Sequence, residues 1–479
     1  MHVEATTDPP FATNADTIVV GHFEDGEAAS RVPDGLFSEL VESGEVSGKL
    51  GHAAVVHADG RRLIIAGLGP GERFGAEPAR VAAAAAHSRA QELSASALCW
   101  ELPPGEGVVA GVVEGTLLHA YTFDRYQAPG RAEGDRMQTL LVSAAQDVGA
   151  QAGRAAIVAA AQNRARDLGN TPSNDLTPSA LAQYAQDLAS RHPALEATVM
   201  DEQAIREAGM GAFAAVAQGS AQDAQLIRLD YTPEEARGAH LGIVGKAVTF
   251  DSGGLALKSR EGMDEMKFDM CGGAAVIEAI GALAELGAPS RVTGFVGATE
   301  NLPSGRAVKP GDIVRALDGT TIEVRNPDAE GRLVMADCLV YARRHGCERL
   351  VDIATLTGGV VTALGSVYAG LMANDPPWAA LVRDCGERTG DRVWELPLDE
   401  YYAEMVKGRY AQLSNLSERR EAQPITAAEL LHHFAADVPW AHLDIAGTAW
   451  DVPRPYFGGK GATGFGVRLL VELAQSAAG

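Results

Sequence analysis

A chain of 479 residues is too long for one ordinary domain, so two are expected. Apolar residues make up 46% and charged residues 22%, a globular balance with enough apolar mass for large cores. The net charge of −23 disfavours a general role on nucleic acid phosphates or on an anionic membrane surface.

The opening "MHVEATTDPP" has no basic start followed by an apolar core, so no signal peptide is expected. "ADTIVVGHF" and "RRLIIAGLG" read as strands between turn residues, and "ARVAAAAAHSRAQEL" reads as an Ala-rich helix. "MQTLLVSAAQDVGAQAGRAAIVAAAQNRARDL" is expected to form one long helical run bridging two domains. The chain then breaks at Pro172. Asp175 or Thr177 is expected to cap a new helix, with Pro178 in its first turn. These signals divide the chain into an N-terminal α/β domain over 1–150, a linker helix region over 151–185 and a larger α/β domain over 186–479.

Beyond residue 190 strands and helices alternate. "HLGIVGKAVTF" is an apolar strand running into "DSGG". "GGAAVIEAIGALAELGAPS" is a helix ending near Gly287, and "RVTGFVGAT" is the next strand. "DIVRALDGTTIEV" is a hairpin turned at Asp318-Gly319. "RLVMADCLVYARRHG" is a helix with Gly346 just past its end. "RLVDIATLTGG" and "HLDIAGTAW" are further strands. This alternation predicts an α/β domain with a mainly parallel central sheet flanked by helices. In such sheets ligands sit outside the carboxyl ends of the strands. No apolar run reaches the length of a membrane span. Five scattered cysteines without a CxxC pair fit no disulfide framework and suit a reducing cytoplasm.

The strand-end loops of this half concentrate charge beside glycine. Lys246 ends "IVGK", Asp251 ends "VTFD" ahead of Gly253-Gly254, and Lys258 ends "LALK". Asp269 lies in "MKFDM", and Asp328, Glu330 and Arg332 lie in "RNPDAEGRL". Any one of these alone reads better as a solvated surface charge; together they mark places where backbone approaches something closely. Converging carboxylates repel one another and need cations, and divalent metals supply them most directly. Asp328 and Glu330, two apart in an extended loop, can aim at one point. A charged lysine can stabilise an oxyanion, and a helix N-terminus near Arg332 holds anions readily.

The stretches "VGKAVTFDSGGLALK", "MDEMKFDM", "NPDAEGRL", "IATLTGG" and "WAHLDIAGTAW" resemble the cytosolic leucine aminopeptidase family, dizinc hexameric enzymes. The likeness is close from about residue 160 onward and weaker before it. The resemblance implies that Lys246, Asp251, Asp269 and Glu330 hold one metal ion, and Asp251, Asp328 and Glu330 the other. It implies that Lys258 polarises the peptide carbonyl, and that Arg332 holds a bicarbonate acting as general base. Met266, Asn326, Thr355, Gly358, Ala446 and Ala449 match positions around the first side-chain pocket.

The resemblance therefore implies a cytoplasmic homohexamer with two Zn²⁺ or Mn²⁺ ions per subunit. It would release N-terminal Leu or similar apolar residues from peptides with a free amine, through a two-metal-activated hydroxide. The domain over 1–150 would serve oligomerisation or regulation, and that over 186–479 catalysis.

Three departures stand out. Pro327 occupies a position where the family usually has Thr, and Gly273 one where Ala is usual. The segment 407–424, "KGRYAQLSNLSERREAQP", lacks the aspartates and glycines usual there. Two other function classes remain open on the residues. One is a catalytically silent member that keeps the fold. The other is a two-metal phosphoesterase, against which stands the lack of histidine in these loops.

Overall fold

The computed structural model describes residues 1–25, 40, 43–58, 60–127, 137–419 and 421–478. The chain divides into two units, one of 1–163 with 453–460 and one of 164–452 with 461–479. The dividing point falls within a single helix, Gly149–Asn170.

In the first unit six strands form one sheet: β1 (His2–Thr6), β2 (Thr17–His22), β3 (Ala53–Ala58), β4 (Arg61–Gly67), β5 (Ala97–Glu101) and β6 (Thr139–Ser143), in the order β1-β6-β5-β2-β4-β3. All neighbours are parallel except β3 and β4. The Ala-rich helix Ala76–Glu92 packs its small buried side chains onto this sheet with Val19, Ile64, Leu98 and Trp100.

β6 corrects the sequence reading, which merged it into the following helix. "TLLVS" has an apolar run of only three residues, too short for its periodicity to separate strand from buried helix. It lies in parallel register between β1 and β5. The helix proper begins only at Gly149, whose N–H donates to Asp147 Oδ1 at 2.8 Å. The next helix, Pro178–Ala189, starts as its sequence dictates: Thr177 Oγ1 accepts from Ala180 N–H, and Pro178 fills the first turn.

The second unit is built on β7 (Leu195–Met200), β8 (Gln225–Tyr231), β9 (Arg237–Asp251), β10 (Ser290–Asn301), β11 (Ile313–Arg315), β12 (Thr321–Glu323), β13 (Arg349–Ala354), β14 (Ala369–Ala373), β15 (Val393–Glu395), β16 (Leu413–Ser414) and β17 (Trp440–Asp444). Eight of them form one sheet in the order β15-β14-β17-β13-β9-β10-β8-β7. Its centre, β17-β13-β9-β10, is parallel, and the antiparallel pairs lie outward of it.

Both faces of the centre are covered. Gly245 and Gly294 lie against helix Cys271–Glu285, while Val244 and Gly297 lie against helix Gly331–Arg344. Hence "LGIVGKAV", Lys246 apart, is apolar along its length rather than alternating.

β11, β12 and β16 make a small separate sheet. The β11–β12 hairpin turns through Leu317–Asp318–Gly319. Ala316 N–H donates to Thr320 O, Gly319 N–H donates to Ala316 O, and Gly319 has φ +95°. That is a three-residue turn with one left-handed glycine, in place of the two-residue turn its sequence suggests. Among the described residues no helix is long and apolar enough to cross a membrane. All five cysteines are buried and unbridged.

Candidate metal centre

Four parallel strands end at one edge. β9 finishes on Asp251, β10 on Asn301, β17 on Asp444, and β13 runs out into Thr355. Asn301 and Asp251 are register partners, so their side chains leave the sheet side by side. Asn301 Nδ2 donates to Asp251 Oδ1 at 2.9 Å, and Gly253 N–H donates to the same oxygen at 2.9 Å. Lys258 Nζ lies 2.8 Å from the other Asp251 oxygen and 2.5 Å from Asp328 Oδ1.

Lys246, five residues earlier on β9, sits 2.8 Å from both Asp269 Oδ1 and Glu330 Oε1, and donates to Thr355 O at 2.9 Å. Asp269 rides on the short 3-10 helix Met263–Met270 and also accepts from Thr355 Oγ1 at 2.7 Å.

Two glycines make this convergence possible. A Cβ at Gly331 would sit 2.7 Å from Lys246 Cε and 2.8 Å from Nζ. Gly253, at φ +86°, carries the turn after β9, and a Cβ there would meet Asp328 Oδ1 at 2.8 Å.

Four carboxylates thus face two ammonium groups, an excess of two negative charges in a largely buried cluster. Burial raises Asp251 to about 6; Glu330 adds to the rise, and the two lysines oppose it. Burial likewise lifts Asp269 well above the usual carboxylate range against the pull of Lys246, and raises Asp328 against Lys258. Glu330 goes the other way: burial works against its charge, yet Lys246 and Lys258 hold its carboxyl below the ordinary value. Burial opposes the charged form of both lysines, but Asp269, Glu330 and Asp251 around Lys246, and Asp251 and Glu330 around Lys258, keep both above the usual amine range.

The donor set fits divalent cations on a specific observation. Glu330 Oε2 and Asp269 Oδ2 are buried without a hydrogen-bond partner, and a buried carboxylate oxygen left bare is costly. One oxygen from each of Asp251, Asp328 and Glu330 lies within 4.8 Å of the others. All-oxygen clusters of this kind suit hard or borderline divalent ions.

Residues 163–471 match the cytosol aminopeptidase family, catalytic domain, and residues 19–129 match the N-terminal domain of the same family. The chain belongs to the cytosol aminopeptidase family. It is 42% identical to a probable cytosol aminopeptidase of Roseiflexus castenholzii, with 99% of each chain covered. It is also 42% identical to one of Solibacter usitatus, again over 99% of each. Among solved structures it is similar to the bottromycin maturation enzyme BotP in complex with Mn, at 35% identity and a TM-score of 0.87, covering 97% of this chain and 100% of that one. Membership makes it a peptidase of a metal-dependent family.

The seven charged residues singled out in the sequence gather as follows in this family member. Lys246 with Asp269 and Glu330, and Lys258 with Asp251 and Asp328, form two ion-pair triads that meet where oxygens of Asp251, Asp328 and Glu330 lie within 4.8 Å of one another. Arg332 is buried in the first turn of helix Gly331–Arg344, donating from NH1 to Asn415 O at 2.8 Å. Burial pulls it down to about 10 despite Glu330 and Asp444.

Thr355 is drawn into the network by both its hydroxyl and its carbonyl. Asn326 Oδ1 accepts from Asp328 N–H at 3.0 Å, shaping the turn that aims Asp328. Met266 lies on the 3-10 helix beside Asp269, and Gly358 opens helix Gly358–Leu364. Ala446 and Ala449 follow β17, and Ala449 is buried.

Sequence reasoning missed three residues. Asn301 ties Asp251 to the carbonyl of Pro327, at 3.1 Å. Asp444 accepts from the backbone N–H groups of Leu356, Thr357 and Ala446 and from Thr357 Oγ1, so it joins the Thr355–Gly358 and Ala446 loops. Asn415 braces the loop that carries Asp328 and Glu330. The one available signal for the first two was an unpaired polar residue ending an apolar strand.

Proposed function

We propose that this chain is a two-metal leucyl aminopeptidase. Lys246, Asp251, Asp269 and Glu330 would hold one ion, and Asp251, Asp328 and Glu330 the other, with Asp251 and Glu330 serving both. The bare, buried Glu330 Oε2 and Asp269 Oδ2 beside an unbalanced carboxylate cluster carry this reading. Bound Zn²⁺ or Mn²⁺ would supply a Lewis acid for the scissile carbonyl and lower the pKa of water toward neutrality.

The chain's own groups then divide the work. Lys246 is held charged by its carboxylate neighbours, so it can ligate only after giving up a proton, and uptake of cations beside it favours that loss. Lys258 keeps its charge and is more open to the surface than Lys246, which suits it to meet an oxyanion developing on the carbonyl. Arg332 would hold a bicarbonate, at a helix N-terminus that favours anions, to accept the proton of the attacking water. Met266, Asn326, Thr355, Gly358, Ala446 and Ala449 would bound an apolar first pocket for a Leu-like side chain.

The substrates would be peptides with a free N-terminus, and the protein a homohexamer working in the cytoplasm. Hydrolysis of Leu-p-nitroanilide, abolished by a chelator and restored by Mn²⁺ or Zn²⁺, is the expected behaviour. A metal-loaded protein with no activity on any N-terminal residue would overturn the proposal.

A further inference from the structure

The loop Arg325–Glu330 follows β12 and, among the described residues, has no strand paired beside it. β16 pairs with β12 in parallel, Ile322 against Leu413 and Glu323 against Ser414, and then ends. Asn415 is the next residue, fully buried, with its N–H donating to Glu323 O at 3.0 Å. From there its side chain takes over the pairing. Asn415 Oδ1 accepts from the N–H groups of Arg325, at 2.8 Å, and Asn326, at 3.2 Å. Asn415 Nδ2 donates to Asn326 O at 2.7 Å and Ala329 O at 3.2 Å. Both amide hydrogens and the amide oxygen are committed to one loop, and the same residue's main-chain oxygen accepts from Arg332 at 2.8 Å.

We propose that Asn415 is a positioning residue for the metal centre, its carboxamide serving as a one-residue strand that fixes the loop carrying Asp328 and Glu330. The proposal rests on the reading of those two carboxylates as metal ligands. A carboxamide is a peptide group on a short tether, with a donor and an acceptor in the same plane, so it can pair with Asn326 as another backbone would. Aspartate has the same shape but turns the donor side into a second acceptor, facing Asn326 O and Ala329 O with like charge. Alanine removes the pairing altogether.

The surrounding segment has further holds on the same region. Glu323 Oε2 accepts from the N–H groups of Arg409 and Tyr410, and Arg325 NH1 pairs with Glu418 Oε1 at 2.7 Å. The segment 407–424, which departs from the family pattern, therefore reaches the metal loop; its Arg420 lies outside the described residues. Partners that orient metal ligands are worth about tenfold to a hundredfold in metal affinity or activity when removed.

The test is Mn²⁺ titration of the full-length metal-free protein, with kcat, KM and melting temperature, for wild type, Asn415→Asp and Asn415→Ala. Both variants are expected to bind Mn²⁺ about tenfold to a hundredfold more weakly and to lose kcat rather than KM, with Asn415→Asp no better than Asn415→Ala. Variants that melt earlier yet titrate with Mn²⁺ and turn over like wild type would reduce Asn415 to a structural residue and overturn the proposal.

If neither variant folds, hydrogen exchange on the wild type decides. The amides of Arg325 and Asn326 are expected to be protected like those of β12, and exchange at free-loop rates would overturn the clamp. A wild type that takes up no Mn²⁺ would instead sink the metal-ligand reading, and the exchange measurement would still report on the clamp.

Discussion

At the scale of single residues, the two lysines do different jobs although both touch carboxylates. Lys246 is enclosed by three acceptors, whereas Lys258 bridges Asp251 and Asp328 from a more exposed position. Lys258→Ala is expected to keep its metal content and to lose about 10²–10³ in kcat, the loss typical of an oxyanion donor. Asp251→Ala should lose metal as well as turnover, and metal analysis beside steady-state kinetics separates the two. Retention of most kcat by Lys258→Ala would rule out its oxyanion role.

Gly331 offers a sharper dissociation of stability from function. Alanine is favoured over glycine in a helix interior by up to about 1 kcal/mol, and less at a first residue like this one, yet its methyl would crowd Lys246 at 2.7 Å from Cε and 2.8 Å from Nζ. Gly331→Ala is expected to leave the melting temperature near wild type and to weaken metal binding. An unchanged metal affinity would mean that the Lys246 ammonium has room the structure does not show.

At the scale of elements, the site is a meeting of strand ends, and its cross-links run between elements far apart in sequence. Asn301, at the end of β10, holds Asp251 on β9 and the Pro327 carbonyl on the metal loop. Asn301→Asp should set two carboxylates against each other and weaken metal binding by about tenfold to a hundredfold. Pro327→Thr should be nearly silent, within about 0.5 kcal/mol in stability, because Asn301 uses only the carbonyl that any residue supplies. Isothermal titration with Mn²⁺ checks both, and equal effects of the two changes would refute this division.

Gly273 is the opposite case. A Cβ there would sit 2.7 Å from both Ala247 Cβ and Val296 Cγ1, so this core is fitted to glycine.

The contrast between Asp251 and Asn301 explains how far the sequence could be read. Charge beside glycine at a strand end is a local pattern, so Lys246, Asp251, Lys258, Asp328 and Glu330 stand out. Asn301, Asn415 and Asp444 act on backbone groups elsewhere in the chain, and no spacing announces that. β6 was hidden for another reason: a five-residue strand with three apolar residues next to a helix carries too little period to declare itself. The inclusion of 453–460 in the first unit is likewise a matter of tertiary contact, with Tyr456 packed beside Ala84 and Leu118.

At the scale of the whole molecule, one buried group in each unit, His87 and Asp337, is expected to respond to acid in the opposite direction to the other. In the first unit His87 is buried against His119, their Nδ1 atoms 2.8 Å apart. Burial, reinforced by His119, pulls His87 down to about 3 from its ordinary 6.5. The unfolded chain therefore binds a proton below 6.5 that the folded unit refuses until about 3. Stability contributed by the neutral imidazole is present above 6.5 and falls as the pH drops through this window, by up to about 1.4 kcal/mol per pH unit.

In the second unit burial pushes Asp337 up to about 7, against the N–H groups of Phe213 and Leu317 that hydrogen-bond it. Here the folded state binds the extra proton, so its contribution is fully present below the ordinary 3.8 and is lost as the pH rises toward 7. Lowering the pH from 7 to 5 should thus reduce the protection of amides in the sheet β1–β6, once exchange is corrected for its intrinsic slowing in acid, while protection around Asp337 in helix Gly331–Arg344 rises or holds steady. His87→Gln should flatten the first response and leave the second unchanged. Parallel loss of protection in both units, unaltered by His87→Gln, would show that neither buried group governs the acid response.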